Sequence, residues 1–235
     1  MSLRFTTRES ESPWVDSVWT CESDGVETMT SVAASRWGLV FWEQNGETYA
    51  SVTGPETATG HAPVPEGARF VGIEFAHATT LRTMATSGLV NGGILLPDVT
   101  ARRFRLDGSY CETPQPDDAE ALVDRLVRDG VILRDPLVTG VLRGDRAGVS
   151  DRTVERRFRA ATGLSRGALH QIDRAREAAT LLATGAITAD VVVKLDYFDE
   201  PHLARALRRY VGRTAGQLRE GSGGAIALDL PQPTV

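Results

Sequence analysis

Along the first 110 residues the apolar positions come in short runs that alternate with polar ones. PWVDSVW, ETMTSV, WGLVFWE, ETYASVT and RFVGIEF are parted by turn-rich clusters such as SDG, QNGE and TGPETATG. Alternation with period two and near-regular spacing predicts short strands assembled into a sandwich or a small barrel. QNGE predicts a tight hairpin, because Asn-Gly supplies the two positive φ angles that a type I′ turn requires.

After ETPQP at 112–116 the period changes. Asp117 and Asp118 can cap a helix whose Leu122, Val123, Leu126 and Val127 form one apolar stripe, stopped at Gly130. Helical spacing then recurs over 136–143, 151–161, 166–183, 189–195, 201–211 and 215–219. GSGGAIALDLPQPTV, punctuated by Gly and Pro, reads as a tail. The expected class is α+β: a β-rich unit over 1–115, a helical unit over 116–220 and a tail over 221–235.

Two of the helical segments echo each other. In SDRTVERRFRAATG, Val154, Phe158 and Ala161 share one stripe, while Arg152, Arg156 and Arg159 lie opposite. DEPHLARALRRYVG repeats the scheme, with Leu203, Leu207 and Tyr210 against Arg205, Arg208 and Arg209. Each segment follows a shorter helix and a turn, and each has a capping residue, Ser150 or Asp199, at its start. One such helix would be read as an ordinary solvated face. Two in matching contexts predict paired helix-turn-helix units, in which a bracing helix presents a cationic one to the major groove.

These residues carry a resemblance. YFDEPHLARALRRYVGRTAGQLR resembles the most specific part of the DNA-binding domain of the AraC/XylS family of transcription regulators, RAREAATLL resembles its linker helix, and SDRTVERRFRAATGLS resembles its first recognition helix. The resemblance implies two helix-turn-helix units joined by a long linker helix. Carried over by position, it implies base reading by Arg152, Glu155, Arg156, Glu200 and Arg205. Phosphate contacts fall to Thr153, Arg159, His202 and Arg208, with Arg209 beside them. A carboxylate repels phosphate but accepts from cytosine N4, so Glu155 and Glu200 point to sequence reading. The sequence departs from the family pattern in three places. Asp196 stands where Gly is usual, Ala215 where Pro is usual, and GDRAGV lengthens the turn before Ser150. Asp tolerates a left-handed backbone, so the second turn is expected to survive.

Charge divides the chain in the same way. Residues 1–100 carry five arginines against twelve carboxylates, whereas 136–235 carry fifteen Lys or Arg against eleven. The helical unit is basic but not polybasic, which predicts weak non-specific DNA binding and a shallow salt dependence. No apolar run approaches the roughly 18 residues of a membrane span, and no secretory signal is readable, so a cytoplasmic protein without a membrane partner is expected. Cys21 and Cys111 are too few for a disulfide framework or a structural zinc site, and the four histidines show no ligand spacing.

For the β-rich unit the family implies a cupin-like barrel that binds a small effector and carries dimer contacts. Trp19, Trp37, Phe41 and Trp42 are the aromatic candidates for lining it. The partners expected are double-stranded DNA, a small-molecule effector, a second copy of the chain and RNA polymerase. No enzyme, cofactor or metal is expected. Two alternatives stand beside this reading: a redox-sensing regulator using Cys21 and Cys111, and a cupin-type enzyme fused to a DNA-binding domain.

Overall fold

The computed structural model describes residues 2–145 and 148–230. The β-rich part contains β1 (Ser2–Glu9), β2 (Val15–Asp24), β3 (Thr28–Ser31), β4 (Gly38–Gln44), β5 (Glu47–Thr53), β6 (Gly60–Pro63), β7 (Arg69–Phe75), β8 (Thr79–Leu81), β9 (Gly93–Leu95), β10 (Arg103–Leu106) and β11 (Ser109–Glu112). It continues through α1 (Ala119–Arg128) and β12 (Ile132–Arg134). The helical part consists of α2 (Pro136–Leu142), α3 (Asp151–Thr162), α4 (Arg166–Ala183), α5 (Thr188–Lys194), α6 (Glu200–Tyr210) and α7 (Ala215–Glu220). The order, strands before helices, is that of an α+β protein.

The main sheet is antiparallel, in the order β1-β2-β7-β4-β5-β9. Its central hairpin turns at Asn45 and Gly46, with φ of 53° and 78°, the left-handed pair that Asn-Gly adopts at low cost. Direct pairing sorts the side chains by face. Phe5, Cys21, Phe70, Trp42 and Tyr49 stand in one cross-strand row. Phe41 pairs with Val71 and Ala50 on the other face. That second face forms a core in which Leu39, Phe41, Ile73 and Phe75 pack with Phe104 and Leu106 of the β10–β11 hairpin.

The same core takes in Ala119, Leu122, Val123 and Leu126, the apolar stripe of α1. The helix therefore closes the β-rich part, and β12 after it pairs with β8. The boundary expected at 115/116 lies ahead of both elements. Periodicity shows that a helix has a buried face, but not which neighbour buries it. The first cap also differs: Asp117 and Asp118 lie in a short 3-10 turn, and α1 begins without a side-chain cap bond.

A second core holds the helical part together, with Phe158, Ile172, Leu182, Leu203 and Leu207 at its centre. Val32, Ala33 and Ala78 of the β-rich part belong to it, so the two parts share apolar packing. The segment expected as a tail is built in as far as it is described. Thr30 N–H donates to Ala225 O, Ala227 N–H donates to Thr30 O, and Ile226, Leu228 and Leu230 pack on the helical core. Residues 231–235 of that segment lie outside the described residues.

Candidate nucleic-acid interface

Local chemistry sets both arginine-bearing helices. Ser150 caps α3 by accepting from Thr153 N–H, and Gly163 stops it with φ of 77°. Asp199 caps α6 by accepting from His202 N–H at 2.7 Å, with Pro201 in its first turn. Asp196 adopts φ of 54°, the left-handed conformation required where the family has Gly. Linker helix α4 holds this turn from outside: Arg174 donates to Asp196 O at 3.1 Å, and its guanidinium lies 4.2 Å from the centre of the Tyr197 ring. Thr214 and Gln217 form a capping box that starts α7 without the usual proline. In the first unit the connection from α2 to α3 runs over 143–150, against 195–199 in the second. Residues 146 and 147 of the long turn lie outside the described residues.

The two stripes behave alike. Phe158 and Ala161 of α3, and Leu203, Leu207 and Tyr210 of α6, are buried in the one helical core, and Val154 of α3 is buried as well. On the opposite faces Arg152, Arg156 and Arg159, and Glu200, Arg205, Arg208 and Arg209, are exposed. Arg152, Arg156, Arg205, Arg208 and Arg209 form no ion pair among the described residues. Glu155 is engaged, 3.0 Å from Arg159 Nε and 4.0 Å from Arg166 Nε.

Two of the candidate phosphate contacts also serve their own turns. The Thr153 hydroxyl lies 3.0 Å from that of Ser150. His202 Nδ1 accepts from Phe198 N–H at 3.4 Å, and its ring packs edge-on against Tyr197. Sequence reasoning passed over Phe198 itself, which is 90% exposed immediately before the Asp199 cap. An aromatic residue between a left-handed turn and a helix cap was the available signal.

The β-rich part grips this domain from behind. Ala33 N–H donates to Tyr210 O and Thr59 N–H to Arg209 O, both at 2.8 Å. Gly212 lies so close that a Cβ there would stand 2.7 Å from Thr59 Oγ1. Across linker helix α4, Asp173 accepts from the Ser35 hydroxyl and faces His77 Nε2 at 3.6 Å and Arg36 Nη1 at 3.7 Å. Burial raises the Asp173 carboxyl, but the neighbouring His77, the hydrogen bond from Ser35 and the charge of Arg36 outweigh it and hold the group below its usual range. Neither cationic helix face is covered by this docking.

The four aromatic candidates for an effector site separate. Trp19 lines a cavity of about 310 Å³ between the main sheet, the β3–β6 pair and α4. Its indole lies over Gly72, where a Cβ would stand 1.9 Å from the ring. Trp37 borders the same cavity, but it is 3% exposed, stacks on Phe75 and donates its N–H to Thr79 O. Phe41 points to the opposite face and meets Phe104 edge-on at 5.0 Å. Trp42 stacks between Tyr49 and Phe70. Phe41 and Trp42 border a separate recess of about 580 Å³ near Arg69 and Glu43.

Both cysteines are buried free thiols. Burial, with the charge of Glu22, pushes Cys21 up to about 12, and burial also raises Cys111. Among the described residues no three His, Cys, Asp or Glu side chains gather as a metal site, and no helix is long and apolar enough to cross a membrane.

Residues 144–221 match the family model described as a helix-turn-helix domain. No curated protein and no solved structure matches the chain.

Proposed function

We propose that this chain is a DNA-binding transcription regulator of AraC/XylS type, a reading that the helix-turn-helix match at residues 144–221 supports, and that its α3 and α6 enter successive major grooves on one face of the duplex. The carrying observation is that both helices bury apolar side chains in a common core and turn outward arginines that, Arg159 apart, form no ion pair among the described residues, even with the β-rich part docked behind them. Arg152, Arg156 and Arg205 read base edges, where guanidinium matches guanine O6 and N7. Glu200 addresses cytosine N4. Arg208 and Arg209 neutralise phosphate. Arg159 reaches phosphate once it leaves Glu155, and Thr153 and His202 add contacts at the two helix starts. With both units engaged, the patches read lie about 34 Å apart.

The β-rich part acts as a sensor of cupin type, with a small molecule held beside Trp19. Supporting this, the cavity is walled by both parts of the chain, so an occupant touches the DNA-binding domain directly. Neither thiol favours the redox alternative, since a reactive cysteine needs a depressed pKa and both are raised. The regulator works as a cytoplasmic homodimer that addresses RNA polymerase from its operator.

Footprinting on the DNA flanking its own gene tests the reading. Wild type should protect two patches one helical turn apart, and Arg205→Ala should lose the patch that α6 reads. Absence of any specific protection at moderate salt refutes it.

A further inference from the structure

We propose that the cavity beside Trp19 takes a flat aromatic cation, one whose ring stacks in the aromatic walls while its positive charge meets carboxylates at the rim. The proposal rests on the sensor reading above and adds the chemical class of the ligand. The aromatic wall comes from neighbouring strands: Phe5 and Trp19 lie 5.5 Å apart, and Phe70 follows on β7. Gly72 makes the wall flat, because only a residue without a side chain admits the indole over its Cα.

The charges in the cavity are unequal in their commitments. Arg36 is engaged with Asp16 at 2.9 Å and faces Asp173 at 3.7 Å. Arg176 of α4 donates to Ala33 O at 3.1 Å and forms no ion pair among the described residues, so its charge offsets part of the negative charge near Glu56. Three carboxylates, Glu56, Glu74 and Asp229, line the same space, and none forms an ion pair among the described residues. Among the described residues Glu74 receives the Ser17 hydroxyl at 3.5 Å, and Asp229 the Thr7 N–H at 2.8 Å. Burial raises the Glu56 carboxyl despite Ser31 and Arg176, so its charge is held in poorly solvated surroundings. An added cation relieves that cost, and an added anion increases it. Aromatic faces also attract a cation through their quadrupole.

The walls link occupancy to the helical domain. Arg176 comes from the linker helix, and Ala227, Leu228 and Asp229 come from the segment strapped to β3. A ligand wedged there bears on α4 and the C-terminal strap together, and hence on how the second helix-turn-helix unit is held.

Three probes of like shape and different charge test this on the full chain without DNA, with binding read by calorimetry: the N-methylquinolinium cation, neutral quinoline and the 1-naphthoate anion. The cation should bind about tenfold more tightly than quinoline, and naphthoate most weakly. Glu74→Gln and Glu56→Gln should each cut cation binding several-fold and leave quinoline unchanged, while Trp19→Ala should weaken both. Equal or tighter binding of naphthoate, binding of none of the three, or indifference of the cation to both Glu variants overturns the proposal. Footprinting without a probe remains a separate readout, so loss of this inference is distinguishable from loss of the regulator reading.

Discussion

The Arg213 guanidinium, 7% exposed, donates to the Thr30 hydroxyl at 2.8 Å and so fastens the end of the second helix-turn-helix unit to strand β3. It also donates to the carbonyls of Gly212, Gly224 and Ala225. Desolvation lowers its pKa, and no carboxylate pairs with it among the described residues. Arg213→Met removes these contacts and leaves the buried Thr30 hydroxyl without this donor, and is expected to cost about 1–3 kcal/mol. Urea unfolding checks this, with exposed Arg219→Met as a control that should change stability by less than about 0.5 kcal/mol.

Arg205 and Arg208 should separate in DNA binding. Arg205→Ala is expected to cost about 1–3 kcal/mol on the preferred site and to relax specificity at one position. Arg208→Ala should weaken all sequences alike and reduce the salt slope by about 1. Competition binding over a salt series measures both.

Glu155 restrains two cations, Arg159 and Arg166. Glu155→Gln removes a negative charge from the DNA-facing helix and releases both guanidiniums to phosphate. Affinity for a random-sequence duplex should rise and its salt slope steepen by about 1. Fluorescence anisotropy would show it, and unchanged affinity would argue that this end of α3 stands away from the duplex.

Asp196 lies at φ of 54°. Asp196→Gly should hold or slightly raise stability, whereas Asp196→Val should cost about 1–2 kcal/mol, because a β-branched residue crowds the left-handed backbone. Thermal unfolding of the pair gives the comparison, and equal melting points would contradict it.

Glu120 ties α1 to the first strand. Arg8 Nη1 donates to it at 2.5 Å and the Ser10 hydroxyl at 2.8 Å. The hydrogen bond from Arg8, foremost, holds the Glu120 carboxyl down to about 2. A depressed carboxylate contributes stability above its unfolded-state value near 4.3, and that contribution fades as pH falls towards 2. Glu120→Gln should therefore be less stable at neutral pH and lose less on acidification between those limits. A pH series of urea midpoints measures the difference.

Several features were legible from residues a few positions apart. The Asn45-Gly46 turn, the Ser150 and Asp199 caps, the left-handed Asp196 and the buried stripes of α3 and α6 all depend on local backbone geometry and on which side of a helix is apolar. Such signals reach one turn or one hairpin. They identified the strand-then-helix order and the residue pattern of the two helix-turn-helix units.

Tertiary structure alone decided the rest. The stripe of α1 could have packed on either part of the chain, and it went to the sheet. Trp19 and Phe41, both aromatic residues in strands, reached opposite faces because pairing register sets the side on which each residue stands. Arg213, between Gly212 and Thr214 after α6, drew meaning from Thr30, 183 residues away. The strap of 221–230 was indistinguishable from a free tail until its apolar residues met the helical core. By itself the sequence determined which faces had to be buried and which arginines had to face outward. Only the folded chain determined what buries those faces, because contacts between residues distant in sequence leave no periodic trace in it.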